Sequence, residues 1–503
     1  APRHGTNIRS VPRTPVAVLA AVLALLALGA SAAAASPLLV VDAHGRVHAR
    51  SDRGLPPPDP APSRVPAAGP TVRYQPRAAG ARARRAPTVR QALDALLAAG
   101  RLDPVRHGLY RTIYSRTLRT LARLRGERRR ELGAVLANVR ALAASGLLTP
   151  ERSALTFLTL ERNRAWWPGK PLLSYGQRVS FSPSRLIWQF YPGQGLQVQW
   201  LGTFGKANGY WYAKSDVGLR ALLDEALALA VPRAGGIAWE SLFWFDGGRP
   251  PWVSGLSQGT GIQALVRASV RLADPRYLAA AQGALGIFRT PPPAGVRAAT
   301  ARGAHYLQYS YAPRLHILNG FVQALNGLAD FVKLGGGADG APLLSAGVAE
   351  AAAEVPAFDT GAWSLYSLPG SESDLSYHVL LRDFLSSLCR RVPVPAVFCT
   401  TSAHFTAYLH APPVLVPRPA TGRVRRPTVL RFGLSKISTV TLTLLRAARP
   451  VYTRSVRLAH GARSFTFTPI KPGPLAFRLR AVDLAGNAAV ATGSISVRRA
   501  PKR

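Results

Sequence analysis

The stretch PPWVSGLSQGTGIQALVRA, residues 250–268, decides how the middle of the chain is read. It contains Gly255-Leu256-Ser257-Gln258-Gly259, a match to G-x-S-x-G. In α/β-hydrolases that pattern places a nucleophilic Ser on a sharp turn between a central strand and a helix. An elbow here would make the fold an alternating α/β sheet. A helix does follow the motif. The preceding PPWV, however, is short and opens on two prolines, which a central strand does not tolerate. No strand–helix alternation surrounds the motif and no HGGG-type oxyanion segment precedes it. Asp359 and His378 do follow Ser257, as chance alone supplies in a chain of 503 residues. The glycines are therefore read as a tight turn into a helix starting near Thr260. Ser257 is a small residue at that turn, and Gln258 a polar side chain at a helix start beside a cleft.

Outward from this point the pattern is helix after helix. Apolar residues recur at helical spacing in 219–231, 261–273, 275–288, 317–336, 341–355 and 376–391. The expected fold class is mainly α. Antiparallel helix pairs over 216–410 would form an (α/α) toroid-like domain whose loops at one end make a substrate cleft. Toroids are common among polysaccharide enzymes, but fold by itself argues little for function.

The flanks differ. Residues 88–167 hold four helical patterns, one opened by Thr88 and another by Thr149-Pro150-Glu151, read as a helical strap. Residues 168–215 are rich in aromatics, Gln and Gly and read as irregular β-structure. Such a surface suits carbohydrate, because rings cover sugar faces and amides bind hydroxyls; an ordinary β-core is the alternative. Residues 411–500 carry short alternating stretches, STVTLTLL, RSFTFTP and LAFRLRAV, expected to form an immunoglobulin-like β-sandwich.

The chain carries 64 Lys and Arg against 24 Asp and Glu, a formal charge of +40. That field favours anionic partners. It also accompanies abundant Ala, Arg, Gly and Pro and no Met, the mark of a GC-rich coding bias. Basic runs lie mostly in linkers and on helix faces and match no nucleic-acid reading motif, so no nucleic-acid partner is expected. Residues 1–36 pair three arginines with the apolar run VAVLAAVLALLALGA and a small-residue segment. This is the layout of a secretory signal; an uncleaved membrane anchor is the alternative. Either implies a secreted or cell-envelope protein. Residues 37–87 read as a disordered Pro/Ala/Arg linker. Cys389 and Cys399 suggest a disulfide closing a small loop, with two buried thiols as the alternative. No metal-ligand spacing is present, which leaves only an ion held by loops. A homodimer is compatible with all of this.

Three ordered blocks then carry a family resemblance. WVSGLSQGTGIQALVRA followed by LADPRY resembles the W-x-S-A-M-A-Q-G-Q segment of the D-glucuronyl C5-epimerase C-terminal domain. QYSYAPRLHILNGF (308–321) resembles its E-Y-P…V-L-N-G-F. FDTGAWSLY (358–366) with SYH (376–378) resembles its Y-D-T-G-S…Y-D-L-R-H…W-D-Y-H. Upstream, YPGQGLQVQ and FGKAN are similar to the bacterial branch.

The resemblance implies an isomerase that inverts C5 of glucuronate within an anionic, heparan-like polysaccharide and needs no cofactor. One group removes the weakly acidic C5 proton and another returns a proton to the opposite face, while donors steady the enediolate. It implies Tyr309, Tyr366 and Tyr377 as the functional tyrosines. It places Gln308, Asn319 and His378 beside them. Two departures stand out. The family's Glu before the first tyrosine is Gln308, which cannot act as a base, and the arginine of Y-D-L-R is Pro369. Leu375-Ser376 also stands where the family has W-D. Two other readings stay open: a non-catalytic binder of acidic polysaccharide, and a lyase in which the same proton abstraction leads to elimination.

Overall fold

The computed structural model describes residues 37–52, 55, 56, 58, 86–392 and 396–499. The expected targeting segment lies outside them. Strands β1 (Pro37–Val41) and β2 (Val47–Ser51) form a hairpin, so this part of the expected linker is ordered sheet. The reason is burial: Leu38 and Val41 of PLLVV turn into the protein. Helices α1 (Val89–Ala98), α2 (Pro104–Arg123), α3 (Gly126–Ala144) and α4 (Pro150–Trp166) follow. Thr88, Asp103 and Thr149 cap three of them, each accepting a backbone N–H. Strands β3 (Arg178–Phe181), β4 (Trp188–Tyr191) and β5 (Gly195–Val198) complete a sheet of order β2-β1-β3-β4-β5.

Helix α5 (Trp200–Tyr212) corrects the β reading of 168–215. Gln199 caps it, and Trp200, Leu201, Phe204 and Ala207 bury one face at helical spacing. Its aromatics had suggested strand; their spacing is that of a helix. Next come α6 (Asp216–Leu227) and the small hairpin of β6 (Val231–Arg233) and β7 (Gly236–Ala238). Helix α7 (Gly255–Arg271) starts five residues before Thr260. Ser254 is its cap, with Oγ accepting from the Ser257 N–H at 3.3 Å. The motif is thus the first turn of a helix, not a turn before one. The 275–288 pattern breaks into α8 (Pro275–Gly283) and the single turn α9 (Gly286–Arg289). The remaining elements are β8 (Arg297–Ala299), β9 (Ala304–Tyr306), β10 (His316–Ile317), α10 (Leu318–Lys333), α11 (Gly337–Glu354), β11 (Ser367–Leu368), α12 (Leu375–Cys389) and α13 (Val397–Tyr408). Helix α13 was not foreseen; Cys399 within it is disulfide-bonded to Cys389.

These helices form a row. Helices α5, α7, α10 and α12 pack each on the next, and α6, α8, α11 and α13 back them in turn. Gly259 allows α7 and α10 to cross closely, because a Cβ there would sit 2.6 Å from the Ala324 Cα of α10. None of the described helices is long and apolar enough to cross a membrane.

The C-terminal part makes the chain a mixed fold rather than a mainly α one. Strands β12 (Leu415–Pro417), β13 (Thr421–Arg423), β14 (Thr428–Leu434), β15 (Ser438–Arg446), β16 (Arg449–Leu458), β17 (Gly461–Phe467), β18 (Gly473–Asp483) and β19 (Ala488–Arg498) form two sheets. Their orders are β12-β14-β17 and β13-β19-β18-β15-β16. Alternation places Leu442, Leu444, Phe477 and Leu479 in one core with Phe432 and Phe465. Buried polar bonds fasten this region to the helices. Glu372, in the loop between β11 and α12, accepts the N–H groups of Ile437 and His460, both at 2.7 Å. Lys436 pairs with Asp483 at 2.7 Å, donates to the Tyr408 carbonyl and lies over the Trp363 ring.

Candidate active site

The site is built where helices begin. Tyr191 precedes α5, Phe243, Phe245 and Trp252 precede α7, Tyr309 precedes α10 and Tyr366 precedes α12. All belong to one apolar cluster. The starts of α5, α7, α10 and α12 therefore gather on one side of the row. Helix N-termini carry partial positive charge and exposed N–H groups, which favours anions there.

Tyr309 is buried against Trp252 and Phe245, with ring centroids 5.8 and 5.7 Å away, and stacks on Tyr311 at 5.4 Å. Gln308 Nε2 donates to its hydroxyl at 3.0 Å. The pairing of Ile317 with Ser367 between β10 and β11 draws the Tyr366 loop to the same wall. Tyr366 meets Tyr377 edge-on at 5.0 Å. Tyr377 stands in the first turn of α12, where its N–H donates to the capping Asp374 carboxylate at 2.8 Å. Its hydroxyl donates to the Pro58 carbonyl at 2.6 Å. The three tyrosines of the motif blocks thus share one wall. A cavity of about 20 Å³, room for about one water, opens beside Tyr309 between Tyr191, Trp239, Trp252 and Ser257.

Other motif residues have structural surroundings. Gln258 is fully buried, with Nε2 donating to the Trp239 carbonyl at 2.9 Å and Oε1 accepting the Trp239 N–H at 3.3 Å. Its expected place beside a sugar is corrected: both amide atoms brace the chain before α7. His378 is fully buried and stacked on Trp363 at 3.7 Å. Its Nε2 donates to the Phe405 carbonyl and its Nδ1 accepts from Ser364 Oγ. Burial holds its pKa down to about 4, against a pull upward from the Phe405 bond. It supports α12 from behind rather than facing the site. Asn319 is buried in the first turn of α10, and its Oδ1 has no donor among the described residues. Pro369 follows β11 and offers only its carbonyl, which accepts from Ser367 Oγ at 3.3 Å.

Two features escaped the sequence reading. Arg178 of β3 is 1% exposed and donates to Gln189 Oε1 at 3.3 Å and to the Pro56 carbonyl. Pro56 lies two residues from the Pro58 that Tyr377 touches, so a buried guanidinium reaches the same segment as the tyrosine. An Arg in an alternating QRVSF stretch gives no hint of this. Glu131 of α3 is buried and accepts the N–H groups of Gly193 and Gly195, at 2.8 and 3.2 Å, shaping the turn after Tyr191. Burial pushes its carboxyl pKa up, with the two backbone bonds opposing.

His305, His316 and Glu354 come together as metal ligands would. The two imidazole rings, however, stack at 4.1 Å with planes 23° apart. One ion cannot lie in both ring planes in that arrangement. Glu354 instead takes one Nδ1 on each oxygen, at 2.8 and 2.9 Å, and clamps β9 and β10 to α11. Burial would raise its pKa, but the two histidine bonds bring it to about 2.

Residues 237–397 match the family model described as the D-glucuronyl C5-epimerase C-terminus. A D-glucuronyl C5-epimerase of Caenorhabditis elegans is 33% identical over 132 residues, 24% of this chain and 21% of that protein. An uncharacterized protein of Methanocaldococcus jannaschii is 28% identical over 136 residues, 26% of this chain and 44% of that one. The chain therefore spans less than half of either curated relative. A solved sugar epimerase from a ruminal bacterium aligns with 43% of this chain and 62% of its own, at 13% identity and a TM-score of 0.28.

Proposed function

Because residues 237–397 match the model of the D-glucuronyl C5-epimerase C-terminus, we propose that the protein is a uronate C5-epimerase acting on an acidic polysaccharide, converting glucuronate to iduronate. The observation that carries this is the convergence of Tyr309, Tyr366 and Tyr377 on one wall at the helix starts. We read the helical row as part of an (α/α) toroid and the C-terminal sheets as an immunoglobulin-like sandwich. An exported location fits a polymer substrate and a disulfide.

In this reading one tyrosine takes the C5 proton and another returns a proton to the opposite face. Tyr309, before α10, supplies one of these groups, and the Tyr366–Tyr377 pair at the start of α12 supplies the other. Arg178 takes the place left by Pro369 as partner of the substrate carboxylate, where a cation also lowers the cost of a tyrosinate. A substrate oxygen replaces the Pro58 carbonyl on Tyr377. Gln308 orients the Tyr309 hydroxyl rather than accepting a proton.

The test is incubation with glucuronate polymers in deuterated water. Deuterium at C5 together with iduronate supports the proposal, and ultraviolet absorbance from an unsaturated product would identify a lyase. The exchange of a base for Gln308 favours one second reading, a binder of acidic polysaccharide without turnover. Tight polymer binding with no exchange on any uronate polymer would establish that reading instead.

A further inference from the structure

Charge is unevenly spread along this chain. Residues 411–503 hold eighteen Lys and Arg and a single acid, Asp483. That acid is buried on Lys436. The region therefore presents cations to solvent with no exposed carboxylate to balance them. A coding bias explains many arginines, but not where the fold puts them.

The strand registers show their placement. On the outer face of the five-stranded sheet, Arg478 of β18 lies between Thr492 of β19 and Thr443 of β15. Arg480 lies between Val490 and Thr441, and Thr439 faces Arg457 of the edge strand β16. At the opposite corner Arg498 of β19 pairs with Arg423 of β13. Arg423, Arg457, Arg478, Arg480 and Arg498 are all exposed. None of the five has an ion-pair partner among the described residues. They mark a diagonal across the sheet, separated by Thr and Ser hydroxyls, about 30–40 Å long at ~3.3 Å per strand residue and ~4.8 Å between strands. Arg446 and Arg463, by contrast, are tied to backbone carbonyls of their own region.

We propose that this face is a docking track for a linear acidic polysaccharide, taking from the reading above only the class of polymer. Guanidinium groups bind carboxylates or sulfates with paired N–H donors, and the interleaved hydroxyls meet sugar hydroxyls. Nucleic acid fits less well, because no aromatic ring lies among these face residues to stack bases and no helix is offered to a groove. A membrane fits less well too, because no aromatic ring lies on the face to anchor it in the lipid interface, and the exposed Val490 beside Arg480 is a small apolar contact. The track is also fixed relative to the cleft. Glu372, which receives Ile437 and His460 from the sandwich, follows Ser371, whose carbonyl accepts the Tyr366 N–H at 2.9 Å. A polymer held on the sheet is therefore held at a constant offset from the tyrosines.

The experiment measures binding of the full chain to hyaluronan across a salt series, with neutral dextran, a DNA duplex and phosphatidylserine vesicles alongside. The variant Arg457→Gln/Arg478→Gln/Arg480→Gln is compared with Arg116→Gln/Arg119→Gln/Arg123→Gln, which removes the same charge from exposed positions of α2. The sheet variant should lose at least tenfold in affinity for hyaluronan and show a shallower salt dependence, while the α2 variant changes less than threefold. Equal losses in the two variants would reduce the effect to diffuse charge and overturn the track. A loss confined to DNA or to vesicles would overturn the choice of partner. Binding and C5 exchange are read separately on the same samples, so a site that fails to exchange C5 does not decide the outcome. All substitutions are at exposed positions, and an unchanged melting temperature checks that each variant folds.

Discussion

The cleft wall and the C-terminal sheet reach their surfaces by opposite routes. The wall gathers Tyr191 from a strand end and Trp252, Tyr309 and Tyr366 from three loops, all far apart in sequence, and most of their area is buried. The sheet displays Arg457, Arg478 and Arg480 through alternation along adjacent strands, and the side chains are exposed. A period-2 pattern is local, so its outward residues can be read directly from the sequence. Convergence of loops is non-local and becomes visible only once the helices are packed. Chemistry that needs several groups around one carbon belongs to the second kind of surface, and polymer capture suits the first.

The largest effect should follow from striking the convergent surface. Tyr377→Phe removes one hydroxyl and keeps the ring against Tyr366. Loss of an acid–base group typically costs 10²–10⁴-fold, so C5 exchange should fall by at least about 100-fold. The melting temperature should move by only a few degrees, since the packing of the ring is retained. Activity within threefold of the parent would remove Tyr377 from the chemistry. Tyr366→Phe is expected to behave alike.

The joint between the two surfaces comes next. Asp483→Asn leaves Lys436 buried without its counter-charge. Breaking such a pair costs about 3–5 kcal/mol; the bonds from Lys436 to the Tyr408 and Ala411 carbonyls place this case near the lower figure. Urea unfolding should show the loss, and the double change Lys436→Met/Asp483→Leu should recover part of it. A single-variant cost below about 1 kcal/mol would mean that the C-terminal sheets are not held by this pair.

How far could the sequence foresee all this? The helices of 216–391 were legible because one face of each is buried, and the strands of 438–498 because they alternate. The tyrosines were found through ordered motif blocks, not through periodicity. Residues 200–212 were misread because Trp, Tyr and Phe suggest strand, whereas their helical spacing decides. Gln258 and His378 were placed near the sugar because they neighbour motif residues. A helix turns neighbours through ~100°, so the residue beside a site residue points elsewhere. Arg178 left no signal, since its meeting with Pro56 joins positions more than a hundred residues apart.

His378 gives the next smaller test, through pH. It is buried neutral, and burial holds its pKa at about 4 in the folded protein, against the usual 6.5 of an exposed histidine. Between those values the unfolded chain binds more protons than the folded one. Stability is therefore full above about pH 6.5 and declines as pH falls towards 4, by ~3 kcal/mol at ~1.4 kcal/mol per unit. His305, also pushed down by burial, adds loss of the same sign. Urea unfolding from pH 7 to 4 should show a smaller decline in His378→Gln than in the parent. Identical slopes would assign the loss to His305 or other groups, leaving the support behind α12 insensitive to acid.

The smallest effect is expected at the G-x-S-x-G motif itself. Ser257 lies in the first turn of α7 and contributes its backbone N–H to the Ser254 cap, not its hydroxyl. Ser257→Ala should change stability by less than about 0.5 kcal/mol and leave C5 exchange within twofold. Ser254→Ala removes the cap and should cost about 1 kcal/mol. The contrast is informative because a nucleophile elbow predicts the reverse order: Ser257 indispensable and Ser254 neutral. Gly259→Ala sharpens the same point, since its added methyl would press on Ala324 of the neighbouring helix. Its cost, about 1–3 kcal/mol for an overpacked crossing, would show that the motif's final glycine serves helix packing. The motif then belongs to the row of helices that brings the tyrosines together, and takes no part in the chemistry.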